Sequence, residues 1–103
     1  MSASPRRGPA PLGDALRSFL KSSGLDAQLR DARVYAAWRA ALGEAFAKRA
    51  VPVRFHEGEL TVEVTSSVHL QELTNFTGEQ YRALANARLG REVIQRVDFK
   101  ARA

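Results

Sequence analysis

Residues 51–64, VPVRFHEGELTVEV, carry the strongest structural signal in the chain. Apolar and polar side chains alternate on both sides of Glu57-Gly58, which is the pattern of a β-hairpin with a two-residue turn. The register places every apolar side chain on one face, and a slip of one residue would destroy this agreement. Pro52 lacks an N–H for a β-ladder, so the first strand is expected at a sheet edge. The turn pairs His56 with Glu59, Phe55 with Leu60, Val53 with Val62 and Val51 with Val64.

Two helices are predicted before the hairpin. The first begins at Pro11, a good first helical residue, and ends at Gly24. The second is longer and has Asp26 as its N-cap candidate. Gly43 lies inside this second pattern, so it marks a bend or a close packing contact. Trp38 shares helical spacing with other apolar residues and is interpreted as core, with a partner-docking anchor as the alternative.

Two further helices and a last strand follow the hairpin. Ser66 and Ser67 are N-cap candidates for the third helix, which Gly78 interrupts, and a fourth helix ends at Gly90. Residues 92–100 then alternate again. The order α-α-β-β-α-α-β predicts an α+β domain, in which helices cover one face of a single three-stranded sheet.

The composition is that of a small globular protein. The chain has 103 residues, room for one domain, which we place at residues 12–103 behind a disordered, basic, proline-rich arm at residues 1–11. It contains no cysteine, which excludes disulfides, thiolate metal sites and cysteine catalysis. No apolar run is long enough to span a bilayer and no secretory signal is visible, so a cytoplasmic protein without membrane contact is expected.

Catalytic patterns are scarce. His56 and His69 do not have the spacing of metal ligands on one helix. The pair Ser66-Ser67 lacks the flanking glycines of a nucleophile elbow, and helix capping explains it better. The glycines are too dispersed to form a phosphate-binding loop. We therefore expect no catalytic residue, no metal site, no cofactor and no small-molecule substrate.

The charge distribution points to a polyanion instead. The formal net charge is +5, and the excess of basic residues lies at the two ends of the chain. Basic side chains that follow a nucleic-acid backbone suit single strands. Of the aromatic residues, Tyr35 and Phe76 are expected to be exposed and the others, Phe19 among them, to be core. The candidate nucleic-acid-binding residues are Arg6, Arg7, Arg82, Arg88, Arg91, Arg96, Lys100 and Arg102.

The order of elements is similar to that of a type II K-homology domain preceded by one helix. The Gly-x-x-Gly clamp of that fold would lie at residues 75–79, where this chain has Asn-Phe-Thr-Gly-Glu with a single glycine. The resemblance implies a K-homology-like fold without its usual nucleic-acid clamp.

Residues 35–100 together resemble the DciA family. The family often has an aromatic residue shortly after the two serines, where this chain has Val68-His69. The shared elements, in order, are Trp38, Leu42-Gly43, Pro52-Val53, residues 58–64 (GELTVEV), Ser66-Ser67, Glu72-Leu73, Leu89-Gly90 and Val97-Asp98-Phe99.

The resemblance to DciA implies a bacterial replication protein without enzymatic activity. Such a protein binds the DnaB-type replicative helicase and assists its loading onto single-stranded DNA, using no nucleotide of its own. The motifs are mainly structural, so they do not identify the residues that contact the helicase. The alternative is a K-homology-like RNA-binding module, which a preference for RNA over DNA would distinguish.

Overall fold

The computed structural model describes residues 10–102. The contacts between residues separate the chain into two compact units, and the boundary lies between Arg30 and Asp31. The elements are α1 (Ala10–Ser23), α2 (Leu25–Leu42), α3 (Glu44–Ala47), β1 (Ala50–His56), β2 (Glu59–Val64), α4 (Ser67–Glu72), a π-helical segment (Leu73–Thr77), α5 (Gly78–Leu89) and β3 (Arg96–Ala101).

The first unit contains α1 and the first residues of α2. Helix α1 ends directly before Gly24, as predicted, but it begins at Ala10 and so includes the last two residues of the predicted arm. The rest of that arm lies outside the described residues, and its disorder stays a prediction. Asp26 is not an N-cap, because the Gly24 carbonyl already accepts the N–H of Gln28 at 3.1 Å. Phe19 was expected in the core but is 62% exposed.

The second unit is built on a three-stranded sheet in the order β1-β2-β3. Strands β1 and β2 are antiparallel, whereas β2 and β3 are parallel. A parallel pair requires a crossover connection, and residues 67–89 supply it as a run of helix. Strand β1 lies at a sheet edge, which confirms the prediction from Pro52. The α+β class and the single three-stranded sheet with packed helices are confirmed as well.

The predicted hairpin register is correct next to the turn and wrong beyond Arg54. His56 pairs with Glu59 and Phe55 with Leu60 across a two-residue turn, in which Glu57 and Gly58 have φ values of 49° and 82°. Positive φ at both positions is the signature of the type I′ turn, whose twist suits a hairpin. Beyond Arg54 a β-bulge shifts the register by one residue.

The bulge reverses the orientation of the first half of β1. Ala50 now pairs with Val64 and Pro52 with Val62, so the predicted pairs of Val51 and Val53 are wrong. Ala50 and Pro52 are buried, and Val53, the extra residue, is 43% exposed. The observed register differs from the predicted one because of the bulge. The buried side chains of β2 keep apolar partners, while Val51 lies on the other face.

Residues 67–89 form one helical run and not two separated helices. Ser66 is the N-cap, as predicted, and its Oγ accepts the N–H of His69 at 3.4 Å. The interruption predicted at Gly78 is wrong. Residues 73–77 form a π-helical turn, and the N–H of Gly78 donates to the carbonyl of Leu73. Gly78 is buried because the ring of Phe99 packs against its backbone.

The core of the second unit surrounds Trp38. Its side chain is fully buried, and its indole N–H donates to the carbonyl of Ala50 at 3.2 Å. Its ring lies 6.3 Å from that of Tyr81 and 5.9 Å from that of Phe99. The interpretation of Trp38 as a core residue is confirmed. Tyr35, which was expected to be exposed, is instead half-buried against the same cluster.

We expect Gly78→Ala to lower the free energy of unfolding by about 1–3 kcal/mol. A Cβ at this position would meet the carbonyl oxygen of Leu73 and lie 2.7 Å from Cε2 of Phe99. The matched control is Gly13→Ala in α1, where a Cβ meets no atom within 4 Å. Chemical denaturation of both variants checks the prediction, and equal stability of the two would contradict it.

Candidate nucleic-acid interface

The outer face of the sheet, opposite the helices, gathers three of the predicted basic residues. Arg96 and Lys100 alternate with inward-facing residues along β3, and Arg102 follows at the end of the strand. In the same register Arg96 pairs with Glu59 and Lys100 with Glu63 on β2. The strand geometry therefore puts these cations in a row along one edge of the sheet.

Carboxylates lie among these cations. The ion pairs measure 3.3 Å for Arg96 to Glu59 and 3.8 Å for Arg102 to Glu63. Lys100 lies 3.8 Å from Asp98. All of these side chains are more than a third exposed, and such pairs contribute little to stability. An incoming phosphate can therefore replace a carboxylate partner at low cost.

Arg82 is different, because its side chain serves the fold. It is only 18% exposed, and its Nε donates to both carboxylate oxygens of Glu79 at 3.1 and 3.2 Å. Its Nη1 donates to the carbonyl of Ile94 at 2.8 Å. The pKa of Arg82 is raised, first by the hydrogen bonds with Glu79. Charge-assisted bonds of this kind hold the segment before β3 against α5.

Asn86 also holds the segment before β3 against α5. It is a buried polar residue of the second unit, 4% exposed. Its side-chain oxygen accepts the N–H of Ile94 at 2.8 Å, and its Nδ2 donates to the Ile94 carbonyl at 2.9 Å. Both backbone groups of Ile94 are thus satisfied, which lets the fully buried Ile94 side chain enter the core.

The other predicted basic residues are dispersed. Arg88 is exposed on α5, and Arg91 is exposed just after it. Arg6 and Arg7 lie outside the described residues. The structure thus brings Arg96, Lys100 and Arg102 together but does not place all eight candidates on one surface. Their role in binding stays a prediction.

Sequence reasoning missed a second group of cations, Arg39, Lys48 and Arg49. Arg39 and Lys48 line a cleft at the end of α2 with Glu44, Ala47 and Val51. The carbonyl of Arg49 accepts the N–H of Thr65 at 3.0 Å, and the N–H of Arg102 donates to Val64 at 2.9 Å. Arg49 and Arg102 therefore lie at the same end of the sheet. No sequence signal indicated this, because it depends on the parallel pairing of β3.

The two histidines considered for catalysis or metal binding lie in different surroundings. His69 is half-buried, and its ring lies 5.3 Å from that of Phe46. His56 is 63% exposed and lies 3.6 Å from Glu57. Within residues 10–102 no three histidine or acidic side chains gather as a metal site. No helix in that range is long and apolar enough to cross a membrane.

One exposed apolar side chain lies at the position where the chain departs from the DciA pattern. Val68 is 72% exposed, so it does not fill core volume in place of an aromatic residue. Phe76, on the π-helical turn, is 77% exposed, as predicted. Exposed aromatic residues are frequent at protein–protein contacts.

Comparisons with known proteins agree on one family. The family described as "Dna[CI] antecedent, DciA" matches residues 11–99. A "UPF0232 protein in recF-gyrB intergenic region" of Mycolicibacterium smegmatis is 34% identical over 65% of this chain and 34% of its own length. A UPF0232 protein of Mycobacterium leprae is 33% identical over 65% of this chain and 35% of its own. Another, of Mycolicibacterium paratuberculosis, is 30% identical over 79% and 45%. The chain thus spans less than half the length of these relatives.

We expect Arg82→Gln to lower the free energy of unfolding by about 1–3 kcal/mol, because the Ile94 carbonyl and the Glu79 carboxylate lose their charged donor. The control is Arg88→Gln, which removes the same charge from an exposed position of the same helix. Thermal and chemical denaturation measure the difference. A control variant as unstable as Arg82→Gln would show that the network around Ile94 contributes nothing specific.

Proposed function

Because the family match extends from α1 into β3, the chain belongs to the DciA family, and we propose that it is a helicase-loading adaptor. In this role it binds the DnaB-type replicative helicase in the cytoplasm and assists its loading onto single-stranded DNA. It catalyses no reaction itself. The match over residues 11–99 is the observation that carries the proposal.

The surface of the second unit supports a binding role. Exposed cations lie on the outer face of the sheet in weak ion pairs, which is an arrangement that suits phosphates. Exposed apolar side chains such as Phe76 suit a protein partner. Two of the groups considered for catalysis have roles in the fold: Ser66 caps a helix and His69 packs against Phe46.

Titration of the protein into the replicative helicase of its own organism tests the proposal. We expect saturable binding with a fixed stoichiometry by calorimetry, and a higher occupancy of helicase on single-stranded DNA when the protein is present. Absence of binding by the folded protein would contradict the adaptor role. Preferential binding of RNA over DNA of equal sequence and length would favour the RNA-binding module instead.

We expect Phe76→Ser to weaken helicase binding by a factor of ten or more, since an aromatic side chain that becomes buried at an interface commonly contributes about 2 kcal/mol or more. Because Phe76 is 77% exposed in the free protein, stability should change little. Leu84→Ser is the matched control, since Leu84 is an exposed apolar residue on α5, at 51%. Equal losses for the two variants, or none, would exclude Phe76 as the contact.

A further inference from the structure

The cleft at the end of α2 lies next to the cationic end of the sheet. Its walls come from α2, α3 and the start of β1, and its volume is about 360 Å³. Small-molecule pockets begin at about 300 Å³, so the cleft has room for one nucleobase. The surface that lines the cleft is mainly apolar. Of the lining residues, Ala47 and Val51 are uncharged.

Two cations border this apolar cleft. Arg39 and Lys48 are exposed, and neither forms an ion pair within residues 10–102. Glu44 is the acidic residue of the lining. An apolar floor with a cationic border matches a nucleotide, because a base has an apolar surface and its flanking phosphates are anionic.

Across the end of the sheet, the cleft is followed by an acidic residue, Glu63, and then by the cations at the end of β3. Val51 is in register with Glu63, and Glu63 is in register with Lys100 on the next strand. Arg102 lies 3.8 Å from the same Glu63. Adjacent strands are about 4.8 Å apart, so the cleft and the β3 cations lie within about 10 Å of backbone distance. A single strand that leaves the cleft can follow these cations with its next phosphates.

We propose that the cleft holds one unstacked base of single-stranded DNA, with Arg39 and Lys48 on the flanking phosphates and Lys100 and Arg102 on the phosphates that follow. The inference rests on the proposed function, because it locates the DNA contact of the adaptor. It adds Arg39, Lys48 and Val51 to the binding surface and makes Arg88 and Arg91 peripheral.

The charge of the surface favours a nucleic-acid strand over a protein segment as the occupant of the cleft. The cleft could also admit the apolar side chain of an acidic peptide. Beyond the cleft, Lys100 and Arg102 follow one another along β3 with Glu63 beside them, and two exposed cations in succession suit the successive phosphates of a strand. Loss of helicase binding on mutation of the cleft, with DNA affinity unchanged, would identify the peptide as the occupant and overturn the inference.

Fluorescence anisotropy with labelled oligo-dT of about 15 nucleotides tests the cations. Arg39→Gln with Lys48→Gln is expected to weaken binding about tenfold at physiological salt. It should also reduce the slope of log K against log salt by about 1.4, because two phosphate contacts are lost. The matched control, Arg88→Gln with Arg91→Gln, removes the same charge. Its affinity for oligo-dT should fall by less than half the factor seen for the cleft pair. Equal losses for the two pairs, or no loss from the cleft pair, would overturn the cleft as the site.

The base contact is tested with an abasic strand of equal length. Val51→Ser removes apolar floor and should weaken oligo-dT binding about fivefold, but leave the affinity for the abasic strand unchanged. An equal effect on both strands would overturn the base site. Helicase titration of the same variants keeps the two proposals separate, since helicase binding can fail while the DNA measurements still decide the cleft. Denaturation curves confirm that each variant is folded.

Discussion

The buried indole of Trp38 is the contact on which the second unit depends. It lies on α2, donates to the carbonyl of Ala50 at the start of β1, and packs against Tyr81 on α5 and Phe99 on β3. One side chain thus joins a helix, both outer strands and the crossover. Phe99 in turn lies against the backbone of Gly78, where any side chain would push the helical run away from the sheet. The position of the crossover is therefore set by the same aromatic cluster.

The β-bulge at Val53 connects this core to the surface. By shifting the register one residue, it turns Ala50 inward, where its carbonyl meets Trp38, and turns Val51 outward. Val51 then lines the cleft beside Arg39 and Lys48. The uninterrupted hairpin would have buried Val51 and removed the floor of that cleft. Bulges commonly redirect side chains in this way next to binding sites.

The basic residues of the protein have different tasks. Arg82 is held by Glu79 and the Ile94 carbonyl, and it fastens the segment that leads into β3. The cations at the end of the sheet are exposed and weakly paired or unpaired, which leaves them available to phosphates. Under the proposed function both groups have a place in one role, since an adaptor must keep its fold while it contacts DNA and a helicase.

Structural features that depend on residues close together in the chain could be predicted from the sequence. The turn at Glu57-Gly58, the helix ends at Gly24 and Gly90, the Ser66 cap and the buried Trp38 all depend on neighbouring residues, and each was predicted correctly. The family resemblance belongs to the same category, because its motifs are such local signals. Long-range packing decided the rest: the bulge, the π-helical turn at residues 73–77, the structural role of Arg82 and the placement of Arg49 and Arg102 at the same end of the sheet. Each of these arises from contacts between residues far apart in the chain, and their free energy appears only when the strands and helices pack together.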